Sequence, residues 1–166
     1  TEEKAFEEIK EAFNKNLRLA NIDNNAEIIV TCDASNLAIG SVISQIQEGK
    51  RVPILFESRK LGNHERNYST YDKEMLAIVH TLRNNRHLLY GKKFKIETDH
   101  KPLTHLLKQK DMSPRQMRWS ELLADFDCEI EYVKGKENKV ADALSRKVMT
   151  VDFPKDDEIS NMEEDD

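Results

Sequence analysis

The sequence predicts an α/β or α+β domain built on one five-stranded sheet with flanking helices, and three observations carry that reading. Three strand-like stretches, "EIIVTCD", "LAIGSVISQI" and "RVPILFES", follow one another before the long helical pattern in the middle of the chain. After that pattern come a strand, two helices, a strand and a helix, a mixed order that fits helices packed on a shared sheet. At 166 residues the chain is long enough for one domain with a real core and short for two.

The elements can be justified in order. "EEKAFEEIKEAFNKNLRL" places Ala5, Phe6, Ile9, Ala12, Phe13 and Leu17 at helical spacing, with acids early, where the helix dipole favours them. "NIDNNA" ends that helix. In the three strands that follow, "QEGK" supplies the turn between the second and third, so an antiparallel meander is expected. Pro53 cannot donate to a ladder, which assigns the third strand to a sheet edge. From Tyr71 to about Tyr90 the spacing of Met75, Ile78, Val79, Leu82 and Leu89 predicts one helix, with Ser69 or Thr70 as N-cap and Gly91 as the stop.

"KKFKIETD" alternates Phe94, Ile96 and Thr98 with Lys93, Lys95 and Glu97, a half-buried fourth strand ending at Asp99. A short helix with Leu103, Leu106 and Leu107 should follow. "SPRQMRWSELLADF" opens with Ser113 as N-cap, Pro114 at the first helical position and Gln116 placed to complete a capping box. Trp119, Leu122 and Leu123 on that helix read as core. "FDCEIEYV" alternates Phe126, Cys128, Ile130 and Tyr132 as a fifth strand, "KGKEN" turns, and "KVADALSRK" gives a last short helix. The remainder lacks the apolar content to bury itself and is expected to be disordered.

Charge is uneven along the chain. The formal net charge is −5, but residues 147–166 hold two lysines against eight acids, so residues 1–146 are close to neutral. Within them, residues 83–118 carry ten Lys or Arg against Glu97, Asp99 and Asp111, a strip suited to a polyanion. The longest apolar runs are a few residues, far from the roughly 20 of a membrane-spanning helix, and no basic stretch precedes an apolar one at the N-terminus. Neither a membrane span nor a secretion signal is expected. Cys32 and Cys128 alternate with apolar residues, the pattern of buried thiols in a reducing compartment rather than of a crosslink.

Four acids stand out by position. Asp33 ends the first strand, Asp99 ends the fourth, Glu74 borders the buried stripe of the central helix one turn before Ile78, and Asp142 sits in the last helix. If strands one and four are parallel neighbours, Asp33 and Asp99 finish at one edge. Carboxylates gathered there would repel unless cations held them, and hard divalent ions with oxygen ligands are the usual solution. Among 31 acids, a single Asp at a strand end is more often a turn former or cap than a ligand.

"TCDASNLAIGSVISQ", "NYSTYDKEMLAIVHTLRNNRHLLYGKKFKIETDHKPL" and "YVKGKENKVADALSR" resemble, in order and spacing, the ribonuclease H domain of gypsy-type long-terminal-repeat retrotransposon reverse transcriptases. The resemblance runs from about Ile28 to Arg146, and "KAFEEIKEAF" resembles the end of the connection segment that precedes such domains. It divides the chain into a helix and linker over 1–26, a ribonuclease H domain over 27–147 and an acidic tail over 148–166. It implies a ribonuclease H-like fold with strand order 3-2-1-4-5. It also implies an endonuclease that cuts the RNA strand of RNA/DNA hybrids, leaving 5′-phosphate and 3′-hydroxyl ends.

Position by position, the family's acidic quartet falls on Asp33, Glu74, Asp99 and Asp142. The resemblance gives these residues two Mg²⁺ ions, with Mn²⁺ as a substitute, and gives Asp33 the bridging role. Ser35, Arg59, Tyr71, His100 and Lys101 are candidate substrate contacts, although Tyr71 would equally cover a helix end and His100 would equally cap the next helix. No His lies between His105 and Asp142, where many ribonucleases H carry a mobile one. Expected partners are the hybrid and the polymerase and connection domains of a parent polypeptide, in cytoplasmic virus-like particles with a nuclear phase. The rival expectation keeps the fold and drops the reaction: an idle module that binds hybrid or supports a polymerase.

Overall fold

Backbone pairing makes the first three strands a meander. The computed structural model describes residues 20–135; the segments expected to form an N-terminal helix, a last helix with Asp142 and an acidic tail lie outside them. Strand β1 (Ile28–Ala34) pairs antiparallel with β2 (Ala38–Gln47), and β2 with β3 (Lys50–Lys60). The β2–β3 hairpin turns through Glu48 at φ 51 and Gly49 at φ 73, two successive left-handed residues whose twist suits a tight hairpin. Pro53 lies on β3 at the edge of the sheet, beside the register shift opposite Ile43 and Ser44. Strand β4 (Lys93–Thr98) pairs parallel with β1, and β5 (Asp127–Tyr132) parallel with β4, which completes the order 3-2-1-4-5.

Helix α1 (Thr70–Asn84) starts where expected: Ser69 accepts a hydrogen bond from the Asp72 backbone N–H at 3.1 Å. Its apolar stripe, Met75, Ile78, Val79 and Leu82, is fully buried against Val30, Cys32, Ile39, Ile43, Phe94 and Ile96 of the sheet. The helix does not run on to Tyr90. It ends at Asn84, and a separate turn, α2 (Arg86–Leu89), follows. The cause is Asn85, whose side chain donates to the Thr81 carbonyl at 2.9 Å and to Glu57 of β3 at 2.8 Å. A side chain competing for helical carbonyls breaks the ladder, and the bend lets Leu89 turn into the core.

Beyond β4, the short helix is a 3-10 helix over Lys101–Lys108 that buries Leu103 and Leu106. Helix α3 (Pro114–Ala124) carries the predicted capping box: Ser113 accepts from the Gln116 backbone while Gln116 accepts from the Ser113 backbone. Trp119 and Leu123 are buried, and Leu122 packs against the same core. Phe126 packs edge-on against Phe94 at 6.1 Å just before β5 begins. Tyr132, at the far end of that edge strand, is exposed.

Both cysteines are thiols, as their alternation with apolar residues suggests. Burial pushes the Cys32 thiol up to about 12, against a hydrogen bond with Thr81 that acts the other way. Cys128 is half-buried, and burial raises it to about 11.

A polar cluster ties edge strand β3 to α1. Glu57 receives hydrogen bonds from Asn84 and Asn85 and stands 3.2 Å from His80 Nε2. Burial pushes its carboxyl up, but the bonds from His80, Asn84 and Asn85 together outweigh that and hold it below the ordinary 4.5. Glu65 is also lowered, chiefly by its hydrogen bond from Arg59. A carboxylate depressed by folding adds stability that is present above its unfolded value and is lost as pH falls through the folded one. Thermal unfolding followed downward from neutral pH should therefore show Tm falling most steeply below 4.5, the ordinary value of both groups. Glu57→Gln should make that fall shallower. An identical acid limb in Glu57→Gln would show that this cluster contributes nothing to it.

Candidate metal centre

Two parallel strands in register deliver two acids to one end of the sheet. Thr31 of β1 lies opposite Glu97 of β4, so two residues further on Asp33 and Asp99 leave their strands side by side, as period-two geometry requires. The third acid arrives from the helix laid across the sheet. Glu74 sits in the second turn of α1, and its Oε1 accepts the Ala34 backbone N–H at 3.3 Å. One carboxylate oxygen from each of Asp33, Glu74 and Asp99 lies within 4.8 Å of the others. Asp33 is 4 % and Glu74 5 % exposed, whereas Asp99 is open to solvent.

This donor set suits a hard divalent cation. Three carboxylates from three separate elements offer oxygen alone, the chemistry preferred by Mg²⁺, Mn²⁺ and Ca²⁺, with no thiolate or imidazole to favour a softer metal. Like charges held this close repel, and a bound cation would relieve that repulsion. The fourth acid of the predicted quartet, Asp142, lies outside the described residues.

The backbone around Asp99 is closely held. Thr98 Oγ1 accepts the His100 N–H at 3.1 Å, and the Thr98 carbonyl accepts the Val133 N–H at 2.9 Å, which carries the β4–β5 ladder one step past the last strand pair. That step brings Gly135 against the Asp99 carboxylate.

The five candidate substrate contacts divide by what they touch. Ser35 Oγ accepts from the Leu37 and Ala38 backbones and donates to the Ala38 carbonyl, so it ties the β1–β2 turn immediately after the acid-bearing strand. Tyr71 and His100 meet edge-on with ring centres 5.7 Å apart, and the Tyr71 hydroxyl donates to Gln109 Oε1 at 3.1 Å. His100 occupies the cap position of the 3-10 helix, yet its side chain makes no capping bond. Burial lowers its imidazole, opposed by the neighbouring Asp99 charge. Lys101 begins that helix, exposed. Arg59 is held by Glu65 through two bonds of 2.7 and 3.0 Å, which gives it a partner inside the fold at the end of β3.

Two residues of this region had no functional reading in the sequence. Gln109 falls just after a 3-10 helix and carries no local signal. Gly135 belongs to "KGKEN", which reads as a turn; only the pairing of β5 with β4 shows that the turn lands on an acid.

Comparison with known proteins agrees with this geometry. Residues 23–126 match the family described as the RNase H-like domain found in reverse transcriptase. The chain is 44 % identical over 142 residues to the retrovirus-related Pol polyprotein from transposon 297 of Drosophila melanogaster, covering 86 % of the chain and 13 % of that polyprotein. To the transposon Tf2-3 polyprotein of Schizosaccharomyces pombe it is 39 % identical over 164 residues, covering 95 % of the chain and 12 % of the polyprotein. The chain thus spans about an eighth of the length of these relatives.

Solved structures share the fold. A foamy viral protease-reverse transcriptase in complex with RNA/DNA hybrid superposes with a TM-score of 0.57 at 23 % identity, over 93 % of this chain and 21 % of that one. LC11-RNase H1 in complex with RNA/DNA hybrid gives 0.55 at 14 % identity, over 71 % and 93 %. With strand order, family match and relatives in agreement, the chain belongs to the RNase H-like domains of reverse transcriptases, within the Pol polyproteins of gypsy-type long-terminal-repeat transposons.

Proposed function

We propose that this domain is a metal-dependent endonuclease that hydrolyses the RNA strand of RNA/DNA hybrids. The observation that carries the reading is the meeting of Asp33, Glu74 and Asp99 oxygens within 4.8 Å at one end of the sheet. These three residues, joined by Asp142, would hold two Mg²⁺ ions. When bound, such ions supply Lewis acidity at the phosphodiester and ionise water at neutral pH.

The chain's own groups supply position. Asp33 is fixed by a strand paired on both sides, the Ala34 N–H orients Glu74, and the hydrogen bonds on Thr98 fix the backbone that carries Asp99. Asp99 and Lys101 face solvent beside the site, where a phosphate backbone can approach. Tyr71 and His100, in edge-on contact three residues before Glu74 and directly after Asp99, would flank that approach. Discrimination in favour of a hybrid would rest on helix shape and the 2′-hydroxyl rather than on base edges. The domain would act beside the polymerase and connection segments of its parent polypeptide, in a cytoplasmic particle.

The test is incubation of the chain with a labelled RNA/DNA hybrid, next to duplex RNA and duplex DNA. Cleavage of the RNA strand of the hybrid alone, present with Mg²⁺ and lost with EDTA, is the expected result. Hybrid binding with no cutting in either Mg²⁺ or Mn²⁺ would favour an idle module and end the nuclease reading.

A further inference from the structure

We propose that Gly135 is a positioning residue for the acidic site: its bare backbone leaves the room in which the Asp99 carboxylate stands, and so sets the affinity of the site for a divalent cation. This rests on the reading of the three acids as a metal centre. A Cβ placed on Gly135 would lie 3.0 Å from Asp99 Oδ2 and 3.9 Å from Asp99 Cβ and Cγ. The first of these is tighter than ordinary van der Waals contact, so one side of the pair would have to give.

Three further facts decide which side gives. The demand for glycine is not conformational, because the positive-φ glycines among the described residues are Gly49 and Gly91, and Gly135 is not one of them. Alanine would therefore suit its backbone and meet only the contact. Both sides of the contact hang on Thr98: Asp99 follows it in the chain, and the Gly135 turn is drawn in by the bond from Val133 N–H to the Thr98 carbonyl at 2.9 Å. With both backbones fixed to one residue, the freest response is rotation of the short, exposed Asp99 side chain. That carboxylate is also one of the three brought together at the site.

A shift of a few tenths of an ångström matters to a metal. Ligand distances in functional sites hold to within about 0.2 Å, and Mg²⁺ is far less forgiving of geometry than Ca²⁺. The sequence lacks a His in this segment before Asp142; among the described residues, the segment brings Gly135 to Asp99.

The experiment measures Mn²⁺ binding to the 166-residue chain by the electron paramagnetic resonance signal of the free ion, together with Tm in EDTA. Gly135→Ala should bind Mn²⁺ about tenfold more weakly, the usual cost of disturbing a group that orients a ligand, with the metal-free Tm unchanged. In an Asp99→Ala background, where no carboxylate remains to be displaced, Gly135→Ala should add no further loss. Equal affinity in Gly135→Ala and the unaltered chain would overturn the proposal. So would the same loss in the Asp99→Ala background, or a large fall in metal-free Tm, either of which would mark a merely structural role. An unaltered chain that binds no Mn²⁺ would overturn the metal reading itself, and this inference with it.

Discussion

Asp33→Asn should reduce hybrid cleavage by at least about 10²–10³-fold, the cost of removing one preorganised electrostatic group from an active site, while the domain still unfolds cooperatively. The side chains have nearly equal volume, and the backbone on either side of Asp33 remains in the β1–β2 ladder through Thr31↔Val42, Cys32↔Ser41 and Ala34↔Ile39. What changes is one negative charge, almost wholly withdrawn from water, in a group of three. Without metal, that change relieves repulsion, so Tm in EDTA should hold or rise. With metal, it removes a ligand charge, so the Tm gain on adding Mn²⁺ should shrink, since stabilisation by a ligand scales with its occupancy. Activity and stability thus move in opposite directions, the signature of a site held in tension for function. Mg²⁺-dependent cutting by Asp33→Asn within tenfold of the unaltered chain would remove Asp33 from the chemistry.

The parts of this arrangement that the sequence disclosed are those governed by near neighbours. Alternation in "KKFKIETD" fixed the faces of β4, Ser113 with Gln116 disclosed a capping box, and Pro53 pointed to an edge, because each depends on residues within a turn or a strand. The parallel pairing of β1 with β4 is different. Residues 35–92 separate the two strands, and only their shared register makes Asp33 and Asp99 neighbours. Periodicity cannot supply that; the family resemblance could, since it carries an ordered set of motifs.

The break at Asn85 was hidden for the same physical reason. It needs Glu57, from a strand at the sheet edge, to hold a side chain that also takes a helical carbonyl. Arg59 is a parallel case. Its guanidinium is held by Glu65, six residues on and across a turn. Spacing alone says nothing of which partner such a group will find.

Phe94→Ala should lower the free energy of unfolding by about 3–5 kcal/mol, the range for removing a large aromatic from a packed core. Phe94 is 1 % exposed and heads the largest side chains that are fully buried. It lies opposite Ile28 on β1 and Cys128 on β5, so it joins three adjacent strands, and its ring meets Phe126 edge-on where α3 hands over to β5. Truncation would leave a cavity beneath the strand that carries Asp99, at the end away from the acids. The damage should therefore appear as lost stability rather than as altered chemistry. Urea denaturation should give a much lower midpoint with an unchanged slope. Cleavage per folded molecule, measured well below that midpoint, should stay within about twofold, because distant and unconnected sites act nearly additively. A loss below 1 kcal/mol would mean that the ring is not packed as described. A stable Phe94→Ala chain with cleavage abolished would mean that the sheet transmits strain from one end to the other, and that the acidic cluster depends on the whole length of β4.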